Sequence, residues 1–164
     1  MIRAGEAPAG AARGGGVAAE TEDLLKLDRQ VCFALAVASR NVIAVYRPIL
    51  APLGLTHPQY LVMLALWEES PRTLTGIGSA LMLEPATLTP LLKRLEAAGL
   101  LTRGRSTTDE RALAVDLTDA GWALRAECEK VPAQVIAKLG IDVRELEATR
   151  DALHRLIEVT RPRD

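Results

Sequence analysis

The chain has 164 residues, two cysteines, two histidines and a formal net charge of −1; 49% of its residues are apolar and 25% charged. That is the balance of one globular domain that builds its core without disulfide staples. No stretch reaches the roughly 18 uninterrupted apolar residues of a membrane span, and the first residues hold no apolar leader run. Cys32, Cys128, His57 and His154 stand too far apart to form a clustered zinc site. Without a nucleotide-binding glycine fingerprint or a Gly-x-Ser-x-Gly elbow, the common hydrolase, zinc and nucleotide chemistries fall away. The expectation is a cytoplasmic protein that is not an enzyme and needs no metal or cofactor, although a near-neutral total gives no sign of a nucleic-acid partner.

Residues 1–20 contain twelve Ala or Gly, including Gly14–Gly16. Such a stretch cannot bury enough surface to offset its ordering entropy, so 1–22 is expected to be a disordered tail and 23–164 the folded domain. From about Asp23, Leu27, Val31, Leu35, Ala38, Val42, Val45 and Ile49 recur at spacings of three and four, the stripe of an amphipathic helix. Pro48 and Pro52 mark its end. Thr56 caps a second helix that runs through Leu61, Leu64, Ala65 and Trp67 to about Glu69. Ser70-Pro71-Arg72 breaks the chain, 73–81 reads as a short helix, and Met82–Pro85 reads as a turn. Residues 86–98 form a strong helix with Leu88, Leu91, Leu92 and Leu95 on one side and Gly99 at its C-terminal end. Residues 100–103 and 112–117 are two short strands joined by the polar stretch 104–111, a hairpin with a long tip. Thr118 caps a helix from Asp119 to about Lys130, which Pro132 breaks or kinks, and a last helix spans 142–160. The fold class is therefore mainly α with a small β-hairpin, a winged helix-turn-helix.

A major groove accepts one α-helix, and the helix at 86–98 has the surface for it. Thr87, Thr89 and Pro90 lie in its first turns, and Lys93 and Arg94 follow as phosphate ligands. The hairpin adds Arg105 and Arg111. Five Lys or Arg and three acids fall within 93–111, so this stretch carries +2 and the remainder −3. The cationic charge is concentrated where a DNA footprint belongs. The apolar stripes of the first and last helices exceed what a small winged domain covers, which points to a homodimer.

The segment from Leu88 to Leu100, with Asp109-Glu110-Arg111 and Leu117–Gly121, resembles the MarR family of dimeric winged-helix regulators. The resemblance implies that Arg111 enters the minor groove while Asp109 steadies its guanidinium, which suits the attraction of a narrow groove for a cation. Upstream, Leu27–Leu35, Ser39-Arg40, Tyr46-Arg47-Pro48 and Leu55–Leu61 resemble the OhrR subgroup of organic hydroperoxide-responsive repressors. The resemblance covers about residues 24–160.

It implies that Cys32 is the peroxide sensor, with Phe33, Tyr46, His57 and Tyr60 in the sensor pocket. It makes Cys128 the candidate resolving thiol, with a small cellular thiol as the other partner used in the subgroup. Two positions depart from the subgroup: Ala36 and His57 stand where tyrosines are usual. A histidine at 57 can still donate a hydrogen bond or a positive charge. The expected function is a redox-sensing repressor, released from double-stranded operator DNA when an organic hydroperoxide oxidises Cys32. A MarR-type regulator answering to a non-covalent small organic ligand is the alternative.

Overall fold

The structure, a computed structural model, describes residues 25–105 and 113–161. The tail expected over 1–22 lies outside them. The chain divides into two compact units at the junction of Asn41 and Val42.

In the first unit, a single 3-10 turn, Leu27–Arg29, precedes helix α1, Val31–Leu50. The helix therefore begins later than the apolar stripe suggests. Gln30 is extended, with φ −83° and ψ 113°, and its carbonyl accepts the amide of Ala34 at 3.1 Å. Leu27, 61% exposed, lies outside the helix. None of the described side chains of this unit is buried.

The second unit holds the end of α1 and the rest of the fold. Pro48 is accommodated within the last turn of α1, and Ala51–Leu53 form a 3-10 turn closed by Gly54 at φ 69°, a left-handed conformation that glycine adopts at no steric cost. Helix α2, His57–Glu68, opens on a capping box: the Gln59 side chain accepts the Thr56 backbone N–H at 2.9 Å. Two orphan donors of the first turn are satisfied this way.

Strand β1, Arg72–Thr73, leads into α3, Leu74–Leu81, whose N-cap Thr73 accepts the amide of Gly76. Helix α4 follows as Pro85–Ala97, then strands β2, Leu101–Arg105, and β3, Leu113–Leu117. The three strands form an antiparallel sheet in the order β1-β3-β2, with Arg72 opposite Val115 and Arg103 also opposite Val115 on the other side. The sequence suggests a two-stranded hairpin; the third strand has only two residues, too few to show an alternating pattern, and is defined by its pairing alone.

Helix α5, Asp119–Cys128, is followed by α6, Val131–Leu139, and α7, Val143–Thr160. The helix expected to end near Lys130 ends at Cys128, and Pro132 lies in the first turn of a further, unexpected helix, α6, where its missing N–H costs nothing.

The core of this unit gathers Leu50, Val62, Met63, Leu66, Ile77, Leu88, Leu92, Leu95 and Val115, all fully buried. Each buried leucine contributes about 1.5–3 kcal/mol relative to exposure. This core anchors α4 by the leucine side and leaves its other side to solvent. By contrast, α7 has no buried residue. The stretch Val31–Leu53 is long and apolar enough to cross a membrane by length and composition, yet little of it is buried.

Candidate nucleic-acid interface and thiol site

On α4 the exposed residues are Pro85, Ala86, Thr87, Pro90, Lys93, Arg94 and Ala97, while Leu88, Leu92 and Leu95 face the core. The division follows from the 3.6-residue period. Four of the five residues expected on this surface therefore share one solvent face. Thr89 does not belong to it in the same way: it is half-buried, and its hydroxyl donates to the Pro85 carbonyl at 2.7 Å.

The turn before α4 is tight. Met82 adopts φ 53°, and Leu83 donates its amide to Gly78 at 2.9 Å. A Cβ on Gly78 would lie 2.9 Å from the Leu83 carbonyl oxygen, so glycine is what allows this close approach. The arrangement fixes how α4 projects from α3.

The base of the wing is tied down by polar contacts. Arg103 donates through Nε to Glu96 at 2.8 Å, and its Nη2 donates to the same oxygen. This hydrogen bond holds the Glu96 carboxyl below the usual carboxylate range. Thr118 donates its hydroxyl to the Gly99 carbonyl at 2.6 Å, and Ser70 donates to Asp116 at 2.7 Å. Charge counting along the sequence missed the Arg103–Glu96 pair, because nothing in their spacing marks them as partners. Arg105 ends β2, but its side chain lies outside what is described, as do Asp109 and Arg111 of the wing tip.

Cys32 is exposed and is the second residue of α1. Amides in the first turn of a helix lack intrahelical acceptors and favour a nearby anion. Phe33 beside it is 39% exposed. In the second unit, Tyr46, His57 and Tyr60 form an aromatic group. The Tyr46 and His57 rings lie 4.9 Å apart edge to face, and Tyr46 and Tyr60 lie 6.1 Å apart.

Burial lowers the His57 pKa below its ordinary value of 6.5 and raises that of Tyr46. The Tyr60 hydroxyl is pushed up to about 12 by burial, with the neighbouring Tyr46 and Cys128 adding to the shift. The His57 shift favours the neutral imidazole, and so a hydrogen-bonding group over a standing positive charge.

Cys128 is 3% exposed. Burial raises its thiol pKa, and Glu127 adds to the effect. It lines a cleft of about 290 Å³ with Tyr60, Leu64, Trp67 and Pro132. A second cleft, of about 490 Å³, is lined by Ile43, Arg47, Leu55 and His57.

A helix-turn-helix with a cationic second helix and an antiparallel wing defines a winged-helix DNA-binding regulator. The sequence profile of the SarA/Rot transcriptional regulators matches residues 44–127. The organic hydroperoxide resistance transcriptional regulator of Bacillus subtilis is 39% identical over 136 residues, 83% of this chain and 92% of that one. Among solved structures, reduced AbfR of Staphylococcus epidermidis bound to DNA is 36% identical with a TM-score of 0.68, covering 84% of this chain and 96% of that one. Disulfide-formed AbfR is 35% identical with a TM-score of 0.57, covering 87% and 94%. The chain belongs to the MarR family, as an OhrR-type regulator. Its relatives are transcriptional regulators and not enzymes.

Proposed function

We propose that the protein is a homodimeric repressor that holds operator DNA while Cys32 is reduced and releases it when an organic hydroperoxide oxidises that thiol. The observation that carries this reading is the exposed Cys32 in the first turn of α1, in a chain 39% identical to an organic hydroperoxide resistance regulator. The chain resembles DNA-bound AbfR equally in its reduced and overoxidised forms, at a TM-score of 0.68 each, and disulfide-formed AbfR at 0.57.

The dimer follows from apolar surface. On α1, Val31, Phe33, Val42 and Ile43 are exposed, and on α7 so are Val143, Leu153, Ile157 and Val159. A second copy of the chain covers such stripes at little cost, which also accounts for an apolar α1 in a cytoplasmic protein. Two copies of α4 then enter successive major grooves of a pseudo-palindromic site. Thr87 and Pro90 face the bases, and Lys93 and Arg94 the phosphates. Arg105 and Arg111 extend the contact along the wing, with Asp109 steadying Arg111.

In the switch, the Cys32 thiolate attacks the peroxide oxygen. A sulfur–oxygen bond forms, the oxygen–oxygen bond breaks, and the alkoxide leaves and takes up a proton as the alcohol. The resulting sulfenic acid condenses with a thiol, forming a disulfide and releasing water. The resemblance to the OhrR subgroup assigns Tyr46 and His57 to the sensor as hydrogen-bond groups. Burial of Cys128 favours a small thiol as first partner, with Cys128 reacting only when the α5–α6 junction opens.

The clefts of about 290 and 490 Å³ favour a second reading, release by a non-covalent organic ligand. Titration of DNA-bound protein with cumene hydroperoxide separates the two. Loss of binding in the parent and its retention in Cys32→Ser support the thiol switch; equal release in both would sink it.

A further inference from the structure

Glu96 lies on the flank of α4, between the buried leucines and the exposed face. Two cations are within its range. Lys93 stands at the i,i+3 spacing at which opposite charges on one helix meet, and Arg103 lies across from it on β2. The carboxylate takes Arg103, through two donors on one oxygen. The two side chains are 35% and 22% exposed. Lys93 is exposed and has no ion pair among the described residues.

We infer that Glu96 is a positioning residue for DNA binding: through Arg103 it fixes the wing strand to the recognition helix and withholds that guanidinium from phosphate. The inference rests on the DNA-binding reading above. The core side of the wing is already held by the buried Leu101 and Val115 and by the Ser70–Asp116 and Thr118–Gly99 hydrogen bonds, and the Leu100 amide donates to Leu95 at 3.0 Å across the turn at Gly99. The clamp adds a side-chain tie from β2 directly to α4. The guanidinium fork makes that tie directional, because both of its N–H groups must stay aimed at one carboxylate. Arg103 precedes Arg105 by two residues on the same strand, so the orientation of the wing arm is set where the clamp acts. A released Arg103 would find a phosphate instead. Phosphate contacts add affinity without sequence information, so release should strengthen binding to any duplex and weaken discrimination.

The test uses the full-length protein, a short random-sequence duplex, and a duplex that the wild type selects from a random library. Glu96→Gln should bind the random duplex more tightly, with the log–log salt dependence steeper by about one, and its preference for the selected duplex should fall severalfold. Glu96→Asp keeps the charge but falls short of Arg103, so it should lose the same preference. The double variant Glu96→Gln with Arg103→Gln removes both charges; its salt dependence should return to that of the wild type while the preference stays low. A clamp that served only stability would lower the melting temperature without moving either binding readout. Unchanged salt dependence and preference in Glu96→Gln, or full preference in the double variant, would overturn the inference. A wild type that binds neither duplex would instead overturn the DNA-binding reading on which it stands.

Discussion

The indole N–H of Trp67 donates to the backbone carbonyl of Gly121 at 2.9 Å, joining α2 to α5. The same glycine lies against the Leu100 carbonyl, where a Cβ would overlap the oxygen, and its amide donates to Thr118 at 3.1 Å. One residue therefore locks α5 onto the turn by which α4 leaves for the wing. Gly121→Ala must move backbone to relieve the overlap, at a cost of about 1–3 kcal/mol. Thermal denaturation should show a clear drop in melting temperature; an unchanged value would mean that the contact relaxes freely.

The two thiols should differ in access. Cys32 is exposed and Cys128 is buried, and the raised pKa of Cys128 further lowers its thiolate fraction. Under native conditions iodoacetamide should modify Cys32 well before Cys128, and the difference should vanish in denaturant. Equal native rates would contradict the burial of Cys128. There is a stability consequence as well. A thiol whose folded pKa is raised stays neutral in the fold while the unfolded chain ionises near pH 9, so this contribution is present below that pH and lost as pH rises through the folded value.

His57 titrates in the opposite sense. Burial lowers its folded pKa below 6.5, so the unfolded chain takes up a proton first as the solution is acidified. The contribution to stability is present above about pH 6.5 and is lost as pH falls through the folded pKa. The His57 ring-proton NMR titration should have its midpoint below 6.5. A midpoint above that value would show that the imidazole is held charged and would restore the cationic role.

The exposed face of α4 gives a graded set of variants. Lys93→Ala and Arg94→Ala should each weaken binding to all duplexes and make the salt dependence shallower by about one. Thr87→Ala should act mainly on sequence preference. Thr89→Val should change preference less than Thr87→Ala, because the Thr89 hydroxyl already donates to Pro85. Fluorescence anisotropy over a salt series reads all four, and a larger loss of preference at Thr89 than at Thr87 would reverse the assignment of faces.

Much of this was legible in the chain. The leucine spacing at 88, 91, 92 and 95 defined both the recognition helix and its solvent side, since a 3.6-residue period ties one to the other. Thr56 and Thr118 each marked a helix start by the local chemistry of capping. The features that escaped were those set by distant partners. A two-residue β1 exists only through Val115 and Ala114 on β3, and the Arg103–Glu96 pair depends on how the wing folds back. The side of Cys128 was also hidden: its helix is polar enough to be a surface helix, and only the fold turns that position inward. The helix whose first turn holds Pro132 escaped for another reason, since proline breaks a helix interior and begins a helix equally well.

In the proposed switch, oxidation at one sulfur, that of Cys32, controls DNA binding. Its most direct test is intact-mass and peptide mapping of the protein after one equivalent of cumene hydroperoxide, read alongside the fraction bound to the selected duplex. Bound DNA should fall in proportion to the Cys32 modified, whether the adduct is a sulfenic acid or a disulfide, and a reducing thiol should restore both together. Full DNA binding by protein whose Cys32 is completely converted to a disulfide would contradict that switch.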